Sequence, residues 1–179
     1  LDGLLDLSRM DAHLLRVERR DVDLETMFND IRQDYEPQAH VRGLRLSVTS
    51  AALVLDTDPA LLRRILDNLL SNALSYTPAG RVLLAARRRR GGALIQVWDT
   101  GVGIAPELQE TVFAEFTRGA ASSGSAPAGQ GLGLGLAIVR RLADLLHCEI
   151  SLRSVPGKGS VFSLWVPAGI PAAHGAGEK

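Results

Sequence analysis

A glycine-rich stretch stands directly before a helical pattern in the last third of this 179-residue chain. Residues 129–136 read Gly-Gln-Gly-Leu-Gly-Leu-Gly-Leu, and apolar residues at helical spacing continue from Ala137 to Leu146. Glycine allows a backbone to approach a ligand because it has no Cβ. A helix N-terminus adds unpaired N–H groups and the positive end of a dipole. The pattern indicates a phosphate cradle, and close packing of the backbone is the alternative.

Two amide side chains lie four residues apart on another predicted helix. Asp58-Pro59 is a helix start, with a capping side chain before proline, and the helix is predicted to reach about Ser75. Asn68 and Asn72 therefore share one face of it. Their oxygens suit Mg²⁺, a hard cation that keeps phosphate and water as further ligands. A hydrogen-bonded pair that closes the helix against a loop is the alternative.

Asp99 ends a predicted strand and is followed by Thr100-Gly101-Val102-Gly103-Ile104. An ionised carboxylate only accepts hydrogen bonds. At the base of a pocket, Asp99 would accept the exocyclic amine of adenine and repel the carbonyl that guanine carries there. An ordinary aspartate at a strand end is the alternative.

Two further segments carry candidate groups. Arg118 follows Phe113 and Phe116, and its planar cation suits a terminal phosphate, although a surface arginine is an equal alternative. Ser160 follows Gly157-Lys158-Gly159. This segment is either a simple hairpin turn, or it places Ser160 behind Asp99 in the adenine pocket.

Periodicity predicts a mixed sheet covered on one face by helices. Residues 1–18 have helical spacing, residues 19–23 form a polar joint, and Asp23 or Thr26 caps a helix that reaches about Ala39. Predicted strands are residues 44–48, 53–55, 82–88, 93–99, 149–155 and 160–166. A short helix is predicted to begin at Pro106, and residues after Pro167 are predicted to be a disordered tail.

Composition argues against several classes of partner. The chain has 20 basic and 20 acidic residues and a net charge of +0, which argues against nucleic acid and anionic membranes as partners. The arginine run 87–90 is therefore interpreted as a solvated hairpin end. A single cysteine, Cys148, excludes an internal disulfide and suits the reducing cytoplasm. The chain opens on Leu1, which we interpret as the start of an excised piece.

These motifs together resemble the catalytic ATP-binding domain of sensor histidine kinases, within the wider family shared with gyrase and mismatch-repair ATPases. The match covers residues 24–167 in family order. The matching segments are residues 66–73 (the N box), Asp99-x-Gly101-x-Gly103, Phe113 to Arg118 (the F box), Gly131 to Gly135, and Gly157-x-Gly159-Ser160.

The resemblance implies an α/β fold, the Bergerat α+β sandwich, with a mostly antiparallel mixed sheet. It implies ATP between helices and a flexible lid at residues 111–131. Residues 1–20 would end a dimerisation hairpin and its linker, residues 21–167 would form the catalytic domain, and residues 168–179 the tail. Its implied partners are a response-regulator receiver domain and a second copy joined through a hairpin missing from this chain. The fragment would be cytoplasmic, without membrane contact of its own, in a parent that is either soluble or anchored in the inner membrane.

The resemblance also implies roles for single residues toward ATP and Mg²⁺. Asn68 and Asn72 would hold the metal, and Asn68 and Arg118 would act in catalysis. The implied nucleotide contacts are Asn68, Asn72, Tyr76, Asp99, Gly101, Gly103, Ile104, Arg118, Gly131, Leu132, Gly133, Leu134, Gly135 and Ser160.

One position discriminates among reactions within the wider family. Relatives that hydrolyse ATP, and serine-directed kinases, carry a glutamate general base where this chain has Asn68. Asparagine cannot take a proton, so the resemblance favours transfer to histidine. A serine-directed or regulatory kinase and a degenerate nucleotide-binding module stay as alternatives. Ser75 and Leu132 favour the degenerate module, because the family usually has lysine and Thr or Ser at these positions.

The phosphoacceptor signature is absent from the sequence. It would be a histidine followed by an acidic residue and then by Thr/Asn-Pro, and none of His13, His40, His147 and His174 has that context. We therefore expect this chain to bind nucleotide without phosphorylating itself.

Overall fold

The computed structural model describes residues 16–114 and 135–169. The strands are β1 (Arg20–Asp23), β2 (Arg45–Thr49), β3 (Val54–Thr57), β4 (Arg81–Arg89), β5 (Gly92–Asp99), β6 (Glu149–Val155) and β7 (Gly159–Pro167). The helices are α1 (Leu24–Val41), α2 (Pro59–Tyr76), α3 (Pro106–Gln109) and α4 (Gly135–Leu145).

A five-stranded sheet in the order β2-β4-β5-β7-β6 forms the framework. Among the strand pairs of this sheet in the described residues, only β2–β4 is parallel. Alternate residues along the strands of the sheet are buried, such as Val82 and Leu84 on β4. They form one core with the buried faces of α1, α2 and α4. The predicted fold class, a mostly antiparallel mixed sheet with helices, is confirmed.

Helix α2 packs into that core, and its local sequence sets where the helix begins and which side of it is buried. The side chain of Asp58 accepts hydrogen bonds from the N–H groups of Ala60 and Leu61, and Pro59 occupies the first turn. Apolar residues at helical spacing, including Leu62, Ile65 and Leu69, are almost completely buried. Asn68 and Asn72 lie at the edge of this buried stripe and are half-buried.

The start of the described chain differs from the prediction. Residues 20–23, predicted as a polar joint, form β1, which pairs antiparallel with β3 in a separate two-stranded sheet. This segment has a single apolar residue, Val22, so it carries no alternation, and its strand conformation depends on the partner strand. Residues 16–18, predicted to be helical, are not, and the N–H of Glu18 donates to Asp58 Oδ2 at 2.8 Å. The rest of the predicted N-terminal helix lies outside the described residues.

The end of the described chain also differs from the prediction. Ala168, assigned to the disordered tail, donates its N–H to the carbonyl of Gly91 at 3.0 Å and accepts from the N–H of Asp56 at 3.1 Å. Residues 170–179 lie outside the described range. Among the described helices, none is long and apolar enough to cross a membrane.

Candidate functional site

The two asparagines of α2 face the first residue of α4. Both side chains are half-buried, and Asn68 Nδ2 donates to the carbonyl of Arg64 at 2.8 Å. A Cβ added at Gly135 would lie 3.1 Å from Asn68 Oδ1 and 4.0 Å from Asn72 Oδ1. The absence of a side chain at Gly135 therefore keeps open the space between the amide oxygens and the N-terminus of α4. The amide oxygens attract a cation, and the unpaired N–H groups of a helix start attract an anion.

Asp99 is held at the end of β5 with one oxygen engaged and the other available. Its Oδ1 accepts the N–H of Gly101 at 2.8 Å and that of Ser160 at 3.3 Å. Its Oδ2 accepts from no group of the described residues. Burial raises the pKa of Asp99 above its ordinary value of 3.8, against the opposing effect of the two N–H groups. The site thus holds a half-buried carboxylate with a free acceptor oxygen.

The loop after Asp99 connects it to α2 through close backbone packing. The N–H of Val102 donates to the carbonyl of Tyr76 at 3.1 Å, and a Cβ at Gly101 would collide with that same carbonyl. Tyr76 follows Asn72 by about one helical turn, roughly 5.4 Å. The carboxylate and the two amides therefore belong to one end of the molecule, although Asn72 and Asp99 are 27 positions apart in the sequence.

Gly103 lets the same loop approach β6. It has a positive φ of 69°, and a Cβ there would collide with the carbonyl of Val155. Ile104 follows, with its N–H donated to Ser154 Oγ at 2.7 Å and its carbonyl accepting from Gln109 Nε2 at 2.8 Å.

Ser160 lies directly opposite Asp99 in the β5–β7 register and is buried. It faces Asp99 through its backbone N–H, whereas its hydroxyl lies 2.9 Å from Ser154 Oγ. The sequence reasoning missed Ser154 and Gln109. A signal existed for Ser154, which is the polar member of the inward alternation Ile150, Leu152, Ser154 on β6. No sequence signal marks Gln109.

Part of the predicted site lies outside the described residues. Phe116, Arg118, Gly131, Leu132, Gly133 and Leu134 lie outside the described residues, as does most of the predicted lid. Tyr76 is 54% exposed at the end of α2. His40 and His147 are exposed, as expected of surface residues, and Cys148 is buried with its pKa raised to about 12 by that burial.

The described groups fit a magnesium–nucleotide ligand. Amide oxygens would supply neutral metal ligands, the helix start would face phosphate, and Asp99 Oδ2 would accept a base amine. In the described part of the chain, no group of three or more His, Cys, Asp or Glu could hold a metal ion. A cation here would therefore need ligands from the phosphates as well as from the amides.

The family is established by comparison with known proteins. Residues 57–170 match the model of the histidine kinase-, DNA gyrase B- and HSP90-like ATPase family. This range covers more than half of the chain and contains α2, the Asp99 loop and α4. The chain therefore belongs to this ATPase family.

Its relatives include sensor kinases. The sensor-like histidine kinase SenX3 of Mycobacterium tuberculosis is 40% identical over 174 residues, 96% of this chain and 42% of that protein. The autoinducer 2 sensor kinase/phosphatase LuxQ of Vibrio vulnificus is 34% identical over 93% of this chain and 20% of that protein. The chain thus spans less than half of the curated relatives it matches.

Solved histidine kinases share the fold. Full-length ShkA in complex with AMPPNP superposes with a TM-score of 0.82 at 30% identity, over 93% of this chain and 34% of that one. The histidine kinase AdeS of Acinetobacter baumannii gives 0.77 at 21% identity, over 94% of this chain and 77% of that one.

Proposed function

We propose that this chain is the catalytic ATP-binding part of a two-component sensor histidine kinase. It binds ATP with Mg²⁺ and presents the γ-phosphoryl group to a histidine on a helical domain absent from this chain. The observation that supports the proposal most is the convergence of Asn68, Asn72 and Gly135 at one end of α2, with the Asp99 loop packed on the next turn.

Each described group has a proposed role in binding. Asn68 and Asn72 hold the metal, which supplies charge compensation for the phosphates. Asp99 Oδ2 accepts the adenine amine, while Gly101 and Gly103 let the loop pass close to the base. Gly135 leaves room for phosphate at the start of α4. Because phosphoryl transfer needs mainly positioning and charge compensation, these groups account for the nucleotide half of a kinase site.

Asn68 also limits which group can accept the phosphoryl group. Its amide cannot take up a proton, so α2 supplies no general base at this position. An imidazole acceptor is already nucleophilic at neutral pH and does not need one, whereas a water molecule or a serine hydroxyl does. We therefore propose histidine as the acceptor, with Arg118 and the backbone of residues 131–135 on the phosphates.

The sequence relatives support the proposed partners. SenX3 and LuxQ are named as sensor kinases, so we propose a response-regulator receiver domain as the final phosphoryl acceptor. A second copy would join through the helical hairpin that residues 1–20 are proposed to end. We propose a cytoplasmic position for residues 21–167, the catalytic domain.

The charge of Asp99 gives the first test. Asp99→Asn should weaken ATP binding by about 2 kcal/mol or more, because the half-buried site loses a charged acceptor. Isothermal titration calorimetry with ATP and Mg²⁺ would measure it. Asp30→Asn, at an exposed position of α1, is the matched control and should bind as the wild type does. Equal affinities for Asp99→Asn and the wild type would contradict the adenine assignment.

A further inference from the structure

Three residues on adjacent strands form one row behind the proposed adenine position. Asp99 on β5 pairs with Ser160 on β7, and Ser160 pairs with Ser154 on β6. Directly opposed residues of an antiparallel pair place their side chains on the same face. Ser154 therefore lies one strand beyond the residue that stands next to Asp99.

Ser154 Oγ has three polar neighbours but a single proton. It lies 2.7 Å from the N–H of Ile104, 3.0 Å from the carbonyl of Gly159 and 2.9 Å from Ser160 Oγ. An N–H group can only donate and a carbonyl can only accept, whereas a hydroxyl has one donor and two acceptor sites. The Ser154 proton is therefore directed to Gly159, and its lone pairs accept from Ile104 and from Ser160.

This assignment fixes the hydroxyl of Ser160. Its proton is used on Ser154 Oγ, so only its lone pairs remain for a ligand. Ser160 is 6% exposed, and its hydroxyl has no other hydrogen-bond partner among the described residues. Reversing the Ser154–Ser160 bond would leave two acceptor oxygens, Ser154 Oγ and the Gly159 carbonyl, facing each other at 3.0 Å without a proton between them.

We infer that Ser154 is a positioning residue that makes Ser160 an acceptor toward the base, so that the pocket selects a 6-amino purine over a 6-oxo purine. The inference rests on the proposed function, which puts the base beside Asp99. Asp99 Oδ2 and Ser160 Oγ then present two acceptors and no donor, directly or through a water. A site built for one hydrogen-bonding pattern discriminates strongly against a ligand with the inverse pattern.

The test compares ATP with inosine triphosphate, which replaces the 6-amino group of the base by a carbonyl. The measured quantity is the dissociation constant for inosine triphosphate divided by that for ATP, both in the presence of Mg²⁺. Ser154→Ala frees the Ser160 proton to donate to the 6-oxo group, so the preference for ATP should fall about tenfold. Ser151→Ala, on the exposed face of the same strand, is the matched control and should keep the ratio. General loosening of the loop would weaken both ligands and leave the ratio unchanged, which would overturn the inference.

A double-mutant cycle tests the route through Ser160. In a Ser160→Ala background, Ser154→Ala should not change the ratio further, because the hydroxyl that it redirects is gone. An equal change in both backgrounds would overturn the inference. Should Ser154→Ala fail to fold, Ser154→Cys replaces the hydroxyl by a slightly larger thiol that is a weaker donor and acceptor, and the preference for ATP should again fall.

Asp99→Asn separates this inference from the proposed function. If Asp99→Asn binds ATP as tightly as the wild type, the proposed adenine site itself is contradicted. If Asp99→Asn loses ATP affinity but Ser154→Ala leaves the ratio unchanged, only the proposed role of Ser154 is contradicted.

Discussion

Asp99 meets opposite demands from folding and from ligand binding. Its pKa is raised mainly by burial, so the ionised form costs free energy in the folded chain at neutral pH. The same ionised form is the acceptor that the proposed adenine contact requires. Such a cost is expected at a binding site, because a ligand offsets it by supplying the missing donor.

The stability of the Asp99→Asn variant should therefore depend on pH in a definite direction. The folded pKa lies above the unfolded one, so the cost of the carboxylate is present at neutral pH and is relieved as pH falls through the folded pKa. An amide retains an oxygen for the N–H groups of Gly101 and Ser160 without that cost. Without nucleotide, Asp99→Asn should be at least as stable as the wild type at pH 7.

Chemical denaturation of both proteins from neutral to acidic pH would measure the difference. The advantage of the variant should shrink as pH falls through the acidic range above 3.8. A variant that is less stable than the wild type at pH 7, with a gap that closes on acidification, would show that the carboxylate stabilises the fold.

Helix α2 depends on a capping residue that also holds the chain before β1. Asp58 Oδ1 accepts from Ala60 and Leu61, while Oδ2 accepts the N–H of Glu18 at 2.8 Å. The residue is 5% exposed. One side chain therefore joins the start of the described chain to the helix that carries both asparagines.

Loss of this cap should destabilise the whole domain. Asp58→Ala should lower the free energy of unfolding by about 2 kcal/mol, because it removes an N-cap and leaves buried N–H groups unpaired. Urea denaturation would measure the loss. Asp58→Asn keeps a capping oxygen and should lose much less, and equal losses in both variants would assign the effect to charge instead of capping.

Gly135 joins α4 to the proposed metal position, and its substitution should affect ligand binding more than folding. Alanine is the better helix former by up to about 1 kcal/mol, so the free energy of unfolding should be maintained. Its Cβ would press on Asn68 Oδ1 from 3.1 Å. Gly135→Ala should therefore weaken ATP binding in Mg²⁺ about tenfold or more, with a smaller effect in EDTA. If ATP binding weakens equally in Mg²⁺ and in EDTA, the added Cβ interferes with the base or the phosphates and not with the metal.

At the scale of the whole molecule, the groups that we propose for ATP are spread over residues 68–160 of the sequence but lie at one end of the fold. Asn72 and Gly135 are 63 residues apart in the 179-residue chain, and Ser154 and Ser160 follow still later. The β5–β7–β6 register and the packing of α4 on α2 bring them together. We propose that these groups form a nucleotide half-site whose phosphoryl acceptor lies on another domain.

The isolated chain should consequently bind ATP without labelling itself. The contexts of its four histidines differ from the acceptor signature, and the chain spans 42% of SenX3. Incubation with γ-labelled ATP and Mg²⁺, followed by acid and base treatment, would check this. Label that survives base and is lost in acid would contradict the expectation, and acid-stable label on an added partner protein would favour the serine-directed alternative.

The sequence alone determined the elements whose signals are local. The Asp58-Pro59 start and apolar stripe of α2, the β4–β5 hairpin, and the spacing that puts Asn68 and Asn72 on one face all follow from interactions within a few residues. The resemblance of the ordered motifs then indicated the family that the comparisons established.

Only the tertiary structure decided the features that depend on distant partners. Residues 20–23 form a strand because β3 lies beside them, and Ala168 is ordered by bonds to Gly91 and Asp56. Likewise, Ser154 gained its place in the site from the β6–β7 register. Alternation along a strand shows which residues share a face, but it does not show which distant residue satisfies each polar group, because the fold chooses that partner.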